Sequence, residues 1–157
     1  MSATYEPIAT TTLGSASPSI TFSSIPSTYT DLIIVLAGSY SSQADIALRF
    51  NGDSGSNYSR TVVYGTGSTA ASTRDTNNTL IAPAYFSTNQ SVAVMSIMNY
   101  ANTTTYKTVL SRSNDASANT SAVVGMWRNT NAINSLTFSY TNIAAGTTCT
   151  LYGIEAA

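Results

Sequence analysis

Leu48-Arg49-Phe50-Asn51-Gly52-Asp53-Ser54-Gly55-Ser56-Asn57-Tyr58-Ser59-Arg60 is the stretch on which the fold class turns. Ile46, Leu48 and Phe50 share one face of an extended segment and Ala47 and Arg49 the other, which is the period of a half-buried strand. Asn-Gly follows; both residues tolerate positive φ, so the backbone can reverse there without strain. After a short Gly/Ser/Asn loop a second strand runs from about Ser59 or Arg60 to Tyr64. The segment reads as a hairpin, and most of the chain reads as further strands behind it.

Working outward, Tyr5 to Thr12 is an extended segment in which Pro7 lacks a donor, so it is an edge strand or an arm. Ser19 to Ser23 alternates strictly. Leu32-Ile33-Ile34-Val35-Leu36 is apolar on both faces, which predicts a central strand covered on both sides. Gly65 to Asn78 has no apolar residue larger than Ala and reads as a long exposed loop. Thr79 to Ala82 is a short strand ended by Pro83. Ser91 to Asn99, Tyr106 to Arg112, Ala122 to Arg128, Ala132 to Tyr140 and Thr147 to Ile154 are strands, with Asn114 to Thr120 a polar loop. The long stretches Gly65 to Asn78 and Asn99 to Thr105 suit connections between sheets. The expectation is one all-β domain over residues 1–157, an antiparallel β-sandwich, jelly-roll-like, with about nine or ten strands and no significant helix. Residues 1–15 form an extended N-terminal arm or edge strand. A closed up-and-down barrel is the rival topology.

Composition supports this reading. The 157 residues suit one domain, and folding such a chain buries roughly two-thirds of its unfolded surface. Only 8% of residues are charged, so Ser, Thr and Asn must build the polar surface, while abundant Thr, Val, Ile and Tyr favour strands. A net charge of −1 gives no attraction to nucleic acid or to an anionic membrane. It also removes a common protection against self-association, so a defined assembly is expected. Cys149, within an alternating pattern, reads as a buried small hydrophobe. No basic-then-apolar leader is apparent at the N-terminus, and synthesis in a reducing cytoplasm is expected.

Candidate chemistry is sparse. The sequence contains no His, the commonest general base and metal ligand. No P-loop is present, and no pair of carboxylates is nominated for acid–base work. Asn51, Asp53 and Asn57 could offer oxygens to Ca²⁺, but their spacing misses the EF-hand loop. Side-chain caps of a turn are the reading adopted. Trp127 has two readings: packing, or an aromatic anchor for a sugar ring or subunit. No catalytic residue, cofactor or metal is assigned.

Several segments then fit together in order. They are Thr4-Tyr5-Glu6-Pro7-Ile8-Ala9-Thr10-Thr11-Thr12-Leu13-Gly14-Ser15, Ser19-Ile20-Thr21-Phe22 with Ile25-Pro26, and Tyr29-Thr30-Asp31-Leu32. Arg49-Phe50-Asn51-Gly52-Asp53 through Asn57-Tyr58, Asn99-Tyr100 with Tyr106-Lys107-Thr108, Trp127-Arg128 and Leu151-Tyr152-Gly153-Ile154 continue the series. Together they resemble small virion structural proteins of tailed bacteriophages, especially those of cyanobacteria and other aquatic hosts. The resemblance implies a non-enzymatic β-sandwich, usually trimeric, that serves as a capsid decoration (cement) protein or a tail-fibre part. The decoration role is preferred, because the chain has its own Met1 and no fibre-like stalk. It implies the major capsid protein and further copies of the chain as partners, and a place on the capsid exterior. Under the tail alternative, a host surface glycan is the partner. Tyr5, Pro7, Ile8, Arg49, Tyr58, Trp127 and Arg128 are the interface candidates.

Overall fold

The computed structural model describes residues 5–115 and 119–155. Their strands are β1 (Tyr5–Thr12), β2 (Ser17–Phe22), β3 (Asp31–Gly38), β4 (Ala44–Phe50), β5 (Tyr58–Gly65) and β6 (Ala70–Asn78). After them come β7 (Ile81–Phe86), β8 (Ser91–Met98), β9 (Lys107–Asp115), β10 (Asn119–Trp127), β11 (Leu136–Ile143) and β12 (Thr148–Ile154). Eight strands form one sheet in the order β1-β12-β3-β8-β9-β10-β5-β6, and four form a second in the order β2-β11-β4-β7. Every pairing is antiparallel. The fold is an all-β sandwich.

The core lies between the sheets and follows from alternation. Leu32, Ile34 and Leu36 of β3 point inward with Ala93, Met95 and Ile97 of β8 and Val109 of β9. Ile20, Phe22, Ile46, Leu48, Phe50, Leu136 and Phe138 of the smaller sheet meet them. Strand β7 comes closest to the long sheet. Its Ile81, Ala82, Pro83 and Ala84 are all buried. A Cβ on Gly125 of β10 would lie 2.8 Å from the Ile81 side chain, so only glycine fits beneath this crossing.

Several expectations change. The described residues form twelve strands. Gly65 to Asn78 is mostly strand: β6 is paired to β5 through a tight turn closed by Thr66 N–H donating to Thr69 O at 2.9 Å. Strand β6 is the sheet's edge and lacks an apolar face, so its pairing rests on the backbone and leaves no hydrophobic pattern. Asn99–Thr105 joins neighbours in the long sheet, β8 and β9, whereas the Gly65–Asn78 stretch, with β6 inside it, leads from β5 of the long sheet to β7 of the small one. Pro83 lies inside β7, which tolerates it as an edge strand. Strand β11 begins only at Leu136, and Asn114, Asp115, Asn119 and Thr120 belong to strand ends, with 116–118 outside the described residues. Tyr5–Thr12 is an edge strand; residues 1–4 of the expected arm are outside the described residues.

Candidate interaction surface

The opening stretch forms a corner of the sandwich. Asp53 N–H donates to Phe50 O at 2.9 Å, with φ of 52° at Asn51 and 68° at Gly52. Positive φ at both central residues is the signature of a type I′ turn. The expected hairpin is not formed, because β4 and β5 belong to different sheets. The chain uses the reversal to cross from one sheet to the other.

The side-chain oxygens of Asp53 and Asn51 at this corner all accept hydrogen bonds from the protein. Asp53 Oδ1 accepts from Gly55 N–H at 2.8 Å, and Oδ2 accepts from Asn57 Nδ2 at 2.9 Å and Trp127 Nε1 at 2.7 Å. Asn51 Oδ1 accepts from the backbone N–H groups of Asn134 and Ser135, and its Nδ2 donates to Ala132 O. Partial desolvation pushes the Asp53 carboxyl up, but its hydrogen bonds from Trp127, Asn57 and Gly55 outweigh that and hold it below the ordinary carboxylate value. Beneath it, Trp127 is 1% exposed and packs with Phe50 and Tyr58 at ring separations of 5.6 and 6.4 Å. The Tyr58 hydroxyl donates to Asp53 O at 3.0 Å, and burial pushes its pKa up to about 12.

Tyr58 and Trp127 are therefore interior and offer a partner nothing, contrary to their selection as interface residues. Arg128 joins the same corner, donating to Ser56 O at 2.7 Å and Asn77 Oδ1 at 2.9 Å. Arg49 stands apart on the outside of the small sheet, where its Nε donates to Thr79 O at 2.9 Å. Ile8 sits at the β1 bulge, partly buried against the core. Tyr5 and Pro7 are exposed.

Pairing places Tyr5 and Pro7 at one margin of a surface that the sequence did not single out. Along one row of the long sheet, Pro7, Tyr152, Ile33, Ser96, Leu110, Val124, Thr61 and Arg74 lie side by side. The next row runs Thr10, Thr150, Val35, Val94, Arg112, Ala122, Val63 and Ser72. Both rows face away from the small sheet. Seven of the eight exposed large hydrophobics lie in strands on this outer face: Tyr5, Val63, Val92, Met98, Leu110, Val124 and Met126. Val63 and Val124 are 59% and 52% exposed. Strand β3 is central, as expected, but only Leu32, Ile34 and Leu36 are fully buried. Nothing in the described chain covers Ile33 and Val35 as the small sheet covers the inner face.

Polar side chains surround this apolar centre. Thr10 and Thr150 are hydrogen-bonded to each other, as are Thr12 and Thr148, along the β1–β12 margin. Ser59, Thr61, Ser72 and Arg74 line the β5–β6 margin. Arg112 is the charged side chain at the centre, between two shallow hollows lined by Val92, Val94 and Thr120 on one side and Val94, Ser96 and Leu110 on the other.

A cleft of about 280 Å³ lies where the long sheet overhangs the small one, lined by Asp45, Arg60, Tyr64, Thr73, Tyr85 and Asn119 among others. Arg60 closes it from below. Its guanidinium pairs with Asp45 at 2.9 Å and Asp75 at 2.8 Å and donates to Ala82 O at 2.8 Å, tying the two sheets together. Asn119 Oδ1 is buried and has no hydrogen-bond partner among the described residues. The single lysine, Lys107, is buried on the inner face with Nζ donating to Thr105 O and Thr130 O. Burial pushes the Cys149 thiol up to about 12, which keeps it protonated at neutral pH.

No family model, no curated protein and no solved structure matches the chain.

Proposed function

We propose that this protein is a structural component of a tailed-phage virion, a capsid decoration protein that stabilises the head by bridging capsomers. The observation that carries an assembly role is the outer face of the long sheet. Contiguous apolar surface of this kind is uncommon on a monomer living alone and marks a place where another surface docks. The virion itself comes from the ordered segments that resemble phage virion proteins, which also imply a homotrimer on the capsid exterior with the major capsid protein as partner. The polar residues that resemble a ligand site at the Asp53 corner are spent on holding the two sheets together, which suits a rigid structural part.

The test is reconstitution. Purified protein should co-sediment with expanded heads of the phage that encodes it and raise the temperature at which heads lacking it release DNA. Failure to bind heads contradicts the reading, as does normal heat and osmotic tolerance of virions without the protein.

A second reading is a tail-associated receptor-binding protein. The cleft favours it, because Tyr64 and Tyr85 offer ring faces beside Asp45, Thr73 and Asn119, a combination that can hold a sugar. Binding to a host surface glycan, lost in Tyr85→Ala, would support this reading over the first.

A further inference from the structure

We infer that the outer face of the eight-stranded sheet is covered by a second copy of this chain. The inference rests on the assembly reading above and names the occupant of that surface.

Area is the first argument. At about 4.8 Å between strands and 3.3 Å per residue, eight strands and four outward rows span roughly 38 by 20 Å, or ~760 Å². A stable protein–protein interface buries about 800 Å² per partner, so the whole face is close to the required size with no further element.

The second argument is the layout. Ile33, Val35, Val94, Leu110 and Val124 occupy the centre, and hydroxyl-bearing side chains occupy both margins. An apolar centre, a polar rim and few central charges make up the anatomy of a protein–protein interface.

The third argument concerns which protein. Arg74 aside, the rim side chains named above are Ser and Thr, whose hydroxyls both donate and accept. Such a rim can hydrogen-bond to its own copy, whereas a rim of Lys or Glu requires a partner of opposite charge. A net charge of −1 leaves little repulsion between copies. Arg112, the one central charge, is exposed and long enough to lay its methylenes over neighbouring apolar side chains while its guanidinium reaches the rim. Two identical twisted sheets pack face to face about 10 Å apart and inclined by roughly 30°; such a contact is self-complementary and closes as a dimer, in place of the trimer that the resemblance implies.

Sedimentation equilibrium of the purified chain across the micromolar range tests the inference. Wild type should be an oligomer. Val124→Glu and Leu110→Glu should each weaken association about a hundredfold or more. Both sites are solvent-exposed in the single chain, so near-UV circular dichroism and Trp127 fluorescence should stay native. Thr21→Glu places the same charge on the outside of the small sheet and should leave association unchanged. A monomeric wild type overturns the inference, and so does an oligomer that survives both face substitutions or dissociates equally with Thr21→Glu. A monomer whose face is protected on heads would assign the face to the capsid protein. A monomer that binds phosphatidylcholine vesicles through it would assign the face to a bilayer. Either result refutes a second copy. Conversely, an oligomer broken by the face substitutions that never binds heads supports this inference and refutes the decoration role.

Discussion

Asp53, Asn57 and Trp127 sit at one corner of the sandwich; Val92, Leu110 and Val124 lie across the outside of its longer sheet. The first group consists of residue types found in binding sites, the second of residue types found in cores. In the fold their placements are reversed. Asp53 accepts three hydrogen bonds from its own chain and Trp127 is buried, while Val124 is more than half exposed. Residue type alone does not say where function lies. What matters is whether a group's physical demand is met within the chain. Polar groups whose hydrogen bonds are complete are structural, and apolar groups left in water are the ones with something to gain from a partner.

Substitutions at the two regions should therefore separate stability from assembly. Trp127→Ala removes a buried ring packed on Phe50 and Tyr58 and takes one of its three hydrogen bonds from the Asp53 carboxylate. It should cost about 3–5 kcal/mol in chemical denaturation. A loss under 1 kcal/mol would mean that the corner is not the fold's fastening. Asp53→Ala leaves the Trp127 indole N–H and two further donors without their acceptor, and about 1–3 kcal/mol should go.

A pH titration sharpens the same point. The Asp53 carboxyl lies below its ordinary 3.8 in the folded protein, so the folded state binds its proton less readily than the unfolded chain does. Its contribution is complete above about pH 3.8 and fades as pH falls through the lower folded value. Asp53→Asn should lose that part of the acid dependence, seen as a flatter plot of midpoint against pH below 4. An unchanged slope would place the acid sensitivity elsewhere. At the other region, Leu110→Ser and Val124→Ser should shift the stability of the dilute chain by no more than about 0.5 kcal/mol, while weakening association. Losses as large as those at the corner would break the comparison, by making the face part of the fold's own core.

Much of the fold could be read from the sequence, for a simple reason. Where one face of a strand is buried by the chain itself, as in Ser19–Ser23, Ser91–Asn99 and Thr147–Ile154, alternation appears directly in the residues. It failed where that condition failed. Strand β6 is an edge with exposed side chains on either face, so Ala70–Asn78 resembled a loop. Asn51-Gly52 announced a reversal correctly, but a reversal does not reveal whether the next strand pairs with the last or crosses to the other sheet. For the surface, Ile33 and Val35 were visible as apolar from the start. Alternation cannot distinguish a face covered by the same chain from one awaiting another, so both read as core in the sequence. Tyr58 and Trp127 were chosen as contacts because aromatics concentrate at interfaces; the inward register of β5 and β10 puts them in the core. Lys107 gave one signal, its place on the Val109 face opposite Tyr106 and Leu110.

The chain carries its own reporters for the central claim that the outer face is the working surface. Met98 and Met126 are exposed on that face, and Met95 is fully buried beneath it. Peroxide oxidation followed by mass spectrometry should modify Met98 and Met126 quickly in the dilute chain and Met95 only slowly. In the assembled protein, Met126 and Met98 should become protected while Met95 is unchanged. Equal oxidation of Met126 and Met98 in the dilute and assembled states would show that the face stays open to water, and the claim would be wrong.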